Sequence, residues 1–130
     1  MELVEVYHRL AALEEPRALA EGHYGPLSDE QRIYAEMIYE GSVKARQWID
    51  DWIQLEHQPL TPDMLTTHAH KINSGLTMML GYASLMLTGV GGAVLPEIEA
   101  ALNVIVGTGE QVHRVVQQNF EQHLNTLSTG

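Results

Sequence analysis

The chain has 130 residues, a mass of 14.5 kDa and no cysteine. It has no apolar run long enough to cross a bilayer, so a membrane span and a disulfide scaffold are excluded, and one compact domain or two small halves are expected. Seven Lys and Arg against 17 Asp and Glu give a formal net charge of −10, which leaves no basic field to neutralise phosphates, so neither nucleic acid nor membrane is an expected partner. With 45% hydrophobic but only 6% aromatic residues, the core must come from Leu, Ile, Val, Ala and Met, the usual filling between helices. The start, Met1-Glu2-Leu3-Val4-Glu5, is acidic where a secretory signal would be basic, and a cysteine-free chain suits a reducing compartment. The expected location is cytoplasmic.

Three stretches punctuate the chain: His23-Tyr24-Gly25-Pro26, then His57-Gln58-Pro59-Leu60-Thr61-Pro62, then Thr88-Gly89-Val90-Gly91-Gly92 running up to Pro96. The first segment, about Glu2 to Glu21, places Leu3, Val6, Tyr7, Leu10 and Leu13 at helical spacing, with Pro16 bending or restarting it. The second opens on Ser28-Asp29-Glu30-Gln31, a capping-box pattern, and runs to about His57. The third opens with Thr61 as N-cap, Pro62 at the first helical position and Asp63 at the positive helix end, and stops after Thr88. A fourth begins at Pro96-Glu97 and frays near Leu127.

At 100° per residue, Leu65, Ala69, Ile72, Leu76, Met79, Leu80, Ala83 and Leu87 form one apolar stripe on the third helix. Ile98, Leu102, Ile105, Val112, Val116 and Phe120 do the same on the fourth, where Gly109 would admit a neighbouring backbone. Sliding the fourth helix back by 67 residues sets Leu102, Ile105, Gly109, Val112, Val116 and Phe120 against Ala35, Ile38, Ser42, Ala45, Ile49 and Ile53 of the second. A degenerate hairpin repeat gives that agreement, and so do two unrelated amphipathic helices. The expected fold is all-α: antiparallel helical hairpins forming a four-helix bundle, closed within one chain or by dimerisation. Residues 1–130 make one helical domain, with an N-terminal hairpin over 1–58 and a second over 59–130.

The segment His70-Lys71-Ile72-Asn73-Ser74-Gly75-Leu76-Thr77-Met78-Met79-Leu80-Gly81-Tyr82-Ala83-Ser84-Leu85 resembles the phosphoacceptor box of the histidine-kinase dimerisation domain. That box runs His, acidic, Leu or Ile, Arg or Asn, Thr or Asn, Pro, Leu, Thr, an apolar pair, Gly-Tyr and Leu. His70, Ile72, Asn73, Leu76, Thr77, Gly81, Tyr82 and Leu85 fit it in register, and the resemblance covers about Thr61 to Leu127. Residues from Leu27 to Ile53 look like a looser copy of the same family's second helix. The resemblance implies a helical hairpin of two-component signalling that docks a response-regulator receiver domain, with His70 as candidate phosphoacceptor and Asn73, Ser74 and Thr77 beside it. A second copy of this chain, or a separate histidine kinase, is a further implied partner. The chain itself is expected to bind no cofactor or metal; Mg2+ would come with the receiver, whose aspartyl chemistry requires a hard cation.

The residues carry independent meaning, because Thr67, His70, Ser74, Thr77, Gly81 and Ser84 fall on one strip roughly opposite the apolar stripe. Small neighbours leave an imidazole reachable by another protein's aspartyl phosphate, where bulky ones would hold the partner away. A free imidazole, with a reference pKa of about 6.5, is largely neutral at cytosolic pH and attacks through its unprotonated nitrogen. Thr67, Lys71, Gly81 and Ser84 are the expected partner contacts, Lys71 toward the receiver's acidic site. An exposed histidine among Ser and Thr is also an ordinary feature of a solvated helix face.

Three departures bear on activity. Lys71 stands where the family has an acidic residue that orients the ring and takes its proton, and a cation accepts no hydrogen bond. Gly75 replaces the proline, keeping local helix weakness without the kink. Ser74 replaces the Thr or Asn that aims water in the phosphatase reaction, with shorter reach. Only Ser128-Thr129-Gly130 follows Leu127 in this sequence, so an autonomous kinase is not expected. Gly89-Val90-Gly91-Gly92 has no following Lys and Ser or Thr and reads as a turn rather than a phosphate loop.

His68 with Lys71 approximates the His-x-x-Lys of monodomain phosphotransfer proteins, but Ile72 stands where they need glycine, and a packing role fits His68 better. His68 and His70 diverge by about 200° on a helix and cannot share a metal ion. Lys44 and Arg114 read as solvated charges, and Trp48 and Trp52 as packing residues. A noncatalytic interaction or scaffold module built on the same bundle is the alternative to a phosphotransfer protein.

Overall fold

A computed structural model of the chain describes residues 2–56 and 58–129, with side-chain surroundings as far as Thr126. Its helices are α1 (Leu3–Ala12), α2 (Glu15–Ala20), α3 (Asp29–Leu55), α4 (Pro62–Leu87) and α5 (Pro96–Thr129), and no strand occurs among the described residues. The first predicted segment is two helices. Leu13 turns extended at φ −73° and ψ 110°, and the chain restarts with Pro16 in the first turn of α2, where its missing N–H costs nothing. In one unbroken helix the proline ring would clash with the Ala12 carbonyl four residues back.

The caps follow the sequence. Ser28 Oγ accepts from the Gln31 backbone N–H while the Gln31 side chain accepts from the Ser28 N–H, so two orphan donors at the start of α3 are satisfied reciprocally. Thr61 caps α4 by accepting from the Met64 N–H, with Pro62 just inside. α5 continues to Thr129, past the predicted fraying at Leu127, and His57, the predicted end of the second helix, lies outside the described residues.

The broken pair α1 and α2 occupies one corner of the bundle, between α3 and α5; α4 occupies the opposite corner and also packs on α3 and α5. One chain thus supplies all four corners. Tyr34 stacks on Tyr82 while Trp48 meets His68, so α3 and α4 run antiparallel, and the bond from Arg9 to Gln111 (2.7 Å) ties α1 to α5. The predicted stripes face inward: Leu65, Ala69, Ile72, Leu76, Met79 and Ala83 of α4 are buried, as are Ile98, Leu102, Ile105, Val112 and Val116 of α5. Leu80, Leu87 and Phe120 are only half-buried, and Met86, outside the predicted stripe, is fully enclosed.

The tightest contact is between backbones. A Cβ on Gly41 would lie 2.6 Å from the Gly75 carbonyl oxygen and 2.8 Å from the Met79 nitrogen; one on Gly75 would lie 2.7 Å from both the Ala45 nitrogen and the Gly41 oxygen. Gly75 is therefore a close-approach residue against α3, a role its sequence context did not disclose. Gly109 corrects the expectation in the other direction, since the atoms that a Cβ there would meet, at 2.7 Å, are the side-chain ends of Met79 and Leu80, not a neighbouring backbone.

Alanine at Gly41 or Gly75 has to separate two helices, so each variant is expected to lose about 1–3 kcal/mol despite its better helix propensity. At Gly107 a Cβ meets nothing within 4 Å, and Gly107→Ala is expected to gain about 0.5–1 kcal/mol. Urea denaturation followed by far-UV circular dichroism reads both signs; a neutral Gly75→Ala would contradict the close approach.

Candidate functional site

Helix α4 turns two histidines to opposite environments. Ala69 and Ile72 are buried and His70, between them, is exposed; its ring makes no hydrogen bond, ion pair or ring contact among the described residues. Along the predicted strip Thr67, Thr77, Gly81 and Ser84 are exposed and Ser74 is half-buried. A partner approaching His70 along α4 therefore meets small side chains.

His68, two residues earlier, is only 8% exposed. Its Nδ1 lies 2.8 Å from the Met64 carbonyl oxygen and its Nε2 2.7 Å from Asp51 Oδ2 of α3, and its ring stands edge-on to Trp48 at 5.3 Å. Both ring nitrogens are engaged, so neither is open to a substrate. The sequence places His68 as a packing residue without naming its partner, because Asp51 is seventeen positions away and carries no motif of its own.

On one flank of the strip, a cleft of about 560 Å3 runs between α4 and α5. Leu76 and Leu80 line it with apolar surface, Asn73, Thr77, Gly81 and Ser84 form its α4 rim, and Glu110, His113 and Arg114 its α5 rim. Asn73 is half-buried beside it, with an Oδ1 that is enclosed and accepts no hydrogen bond. Arg114, solvent-exposed as expected, also lines the cleft, and the exposed Glu110 and His113 join it; no sequence pattern singled these two out.

The other flank faces α3. Lys44, expected to be solvated, is half-buried and its Nζ donates to Ser74 Oγ at 3.1 Å. Lys71 is also half-buried, with Nζ 5.9 Å from the centre of the Trp48 ring, near the outer limit of a cation–π contact. The Lys71 ammonium thus leans toward α3. Trp52 is fully buried, as its packing role requires. Tyr82 stacks on Tyr34 with ring centres 5.5 Å apart, and the bond from Tyr34 to the Glu30 carboxylate holds the Tyr34 phenol above its ordinary range.

Among the described residues no group of three or more His, Asp or Glu side chains could hold a metal ion, and no helix is long and apolar enough to cross a membrane. Comparison with known protein families, curated proteins and solved structures found no match.

The two histidines differ in what they support, and so should their variants. His68→Ala removes an enclosed ring and two hydrogen bonds and is expected to cost about 2–3 kcal/mol, whereas His70→Ala should stay within about 0.5 kcal/mol of the parent. Chemical denaturation of the pair measures this; equal losses would show that His70 is structurally engaged.

Proposed function

We propose that this chain is a two-component signalling module that docks a response-regulator receiver domain, with His70 as phosphoryl carrier. The observation that carries the reading is the exposed, unengaged imidazole on a strip of small residues, in the register of the box that the sequence resembles. The α4–α5 cleft beside it provides apolar and charged groups for a partner helix. In this reading, the lone pair of an unprotonated His70 nitrogen attacks the phosphorus of a receiver aspartyl phosphate. A P–N bond forms as the P–O bond to the aspartyl carboxylate breaks, the carboxylate is the leaving group, and the proton on the other ring nitrogen is retained or passed to water. Magnesium belongs to the receiver.

Lys71 favours a second reading. No carboxylate contacts His70 among the described residues, so nothing takes the place of the acidic residue that orients the ring in the resembled family. A scaffold that docks the same partner without accepting phosphoryl groups needs none.

Incubation with a panel of phosphorylated receiver domains tests both readings. The expected outcome is an acid-labile label on the parent protein that falls to background in His70→Gln, with the circular dichroism spectrum and receiver binding retained. Binding without any label on the parent would remove the carrier role and leave the scaffold; neither label nor binding would remove both.

A further inference from the structure

The turn from α2 to α3 and the turn from α4 to α5 share their caps, two left-handed glycines and their backbone bonds at a separation of 67, and differ at Gly91, which has φ 88° where its counterpart Tyr24 is not left-handed. α2 and α4 end at Ala20 and Leu87, and α3 and α5 begin at Asp29 and Pro96. Their C-caps, Glu21 and Thr88, have φ, ψ of −83°, −2° and −83°, 0°. Gly22 and Gly89 follow at φ 80° and 87°, and Gly25 and Gly92 at 122° and 126°. The backbone bonds repeat as well: Gly22 to Leu19 and His23 to Ala18 in the first turn correspond to Gly89 to Met86 and Val90 to Leu85 in the second, and Gly25 to Gly22 corresponds to Gly92 to Gly89.

A left-handed glycine with these two bonds is a common helix ending. The second glycine, the equal loop length and the register of the core go beyond it. Gln31 and Ile98, Ala35 and Leu102, Ile38 and Ile105, Ser42 and Gly109, Ala45 and Val112, and Ile49 and Val116 are all buried, at that same separation. The contacts between the turns are reciprocal. A Cβ on Gly25 would meet Leu95 at the start of α5, while Gly92 and Gly91 face Gln31 and Ser28 at the start of α3. A two-fold relation between subunits produces that self-complementary pattern.

The two corners differ in chemistry. In α1 the buried Leu3, Val6 and Leu10 match Ala69, Ile72 and Leu76 at a separation of 66, the extended Leu13 covering the length of the missing residue. The position matching His70 is then Val4. The groove matching the α4–α5 cleft lies between α2 and α3, at about 390 Å3. Glu14 and Arg17 stand there in place of Gly81 and Ser84, and Arg17 donates at 2.9 Å to Glu21, four residues on at the C-cap of the same helix, which holds the Glu21 carboxyl below its ordinary range.

We infer that the chain is a tandem pair of one helical hairpin, in which residues 2–56 serve the second hairpin as a built-in partner subunit, so that a single chain closes the bundle and presents one partner face, at His70 and the α4–α5 cleft. The identity of that face rests on the docking reading above; the built-in subunit does not.

Sedimentation of the full chain, from low micromolar to several hundred micromolar, tests the subunit claim without any partner. One species of 14.5 kDa is expected, and a stable dimer would overturn it. Gly22→Ala and Gly89→Ala, each at a left-handed glycine with nothing within 4 Å of the added Cβ, should lower the thermal midpoint equally; a shift confined to one would overturn the equivalence of the halves. Titration with a receiver domain that labels His70 should saturate at one per chain, and two per chain would overturn the single face. If no receiver binds while the chain sediments as a monomer, the docking reading fails and the built-in subunit stands.

Discussion

Two glycines in contact, Gly41 and Gly75, set the relation between α3 and α4. With no side chain at either position the helix backbones touch, and each neighbouring residue then faces a defined place on the other helix. Lys44 reaches Ser74, Trp48 receives both His68 and Lys71, and Tyr34 stacks on Tyr82. A Cβ at either glycine would push the axes apart and weaken each of these contacts. The site depends on the same contact, because it decides which face of α4 turns toward α3 and which toward solvent.

That rotation separates the two histidines. His68 is drawn against α3, where a carbonyl and a carboxylate occupy its nitrogens; His70, about 200° round the helix, is left with free nitrogens and small neighbours. Two residues of the same type therefore have different surroundings because a helix advances 100° per residue. Lys71 lies between them in direction, with its ammonium 5.9 Å from the centre of the Trp48 ring. An ammonium beside an aromatic face at the edge of the α3 contact requires no catalytic part.

The four corners are unequal in build. The α4 corner is one unbroken helix with an open cleft beside it, whereas the opposite corner is broken at Leu13 and carries a paired Arg17 and Glu21 in the corresponding groove. A solvent-exposed ion pair adds little stability, and it puts charge beside this groove where the α4–α5 cleft has small residues.

Much of the scaffold was legible in the sequence because its signals are local. Ser28 with Gln31, Thr61 with Pro62, the restart at Pro16 and the stop after Thr88 each act within one helical turn, and the stripes on α4 and α5 follow from helical periodicity alone. The exposure of His70 and the enclosure of His68 were legible for the same reason. What the sequence could not disclose was pairing at a distance: Asp51 against His68, Lys44 on Ser74, the α5 rim of Glu110, His113 and Arg114, and the reason for a glycine at position 75. The match between Gly22 and Gly89 was likewise hidden, since a glycine letter carries no dihedral angle. Local backbone preference and hydrophobic period are written in neighbouring residues, but which faces meet is decided only when whole helices pack, and that depends on the fit of surfaces far apart in the chain.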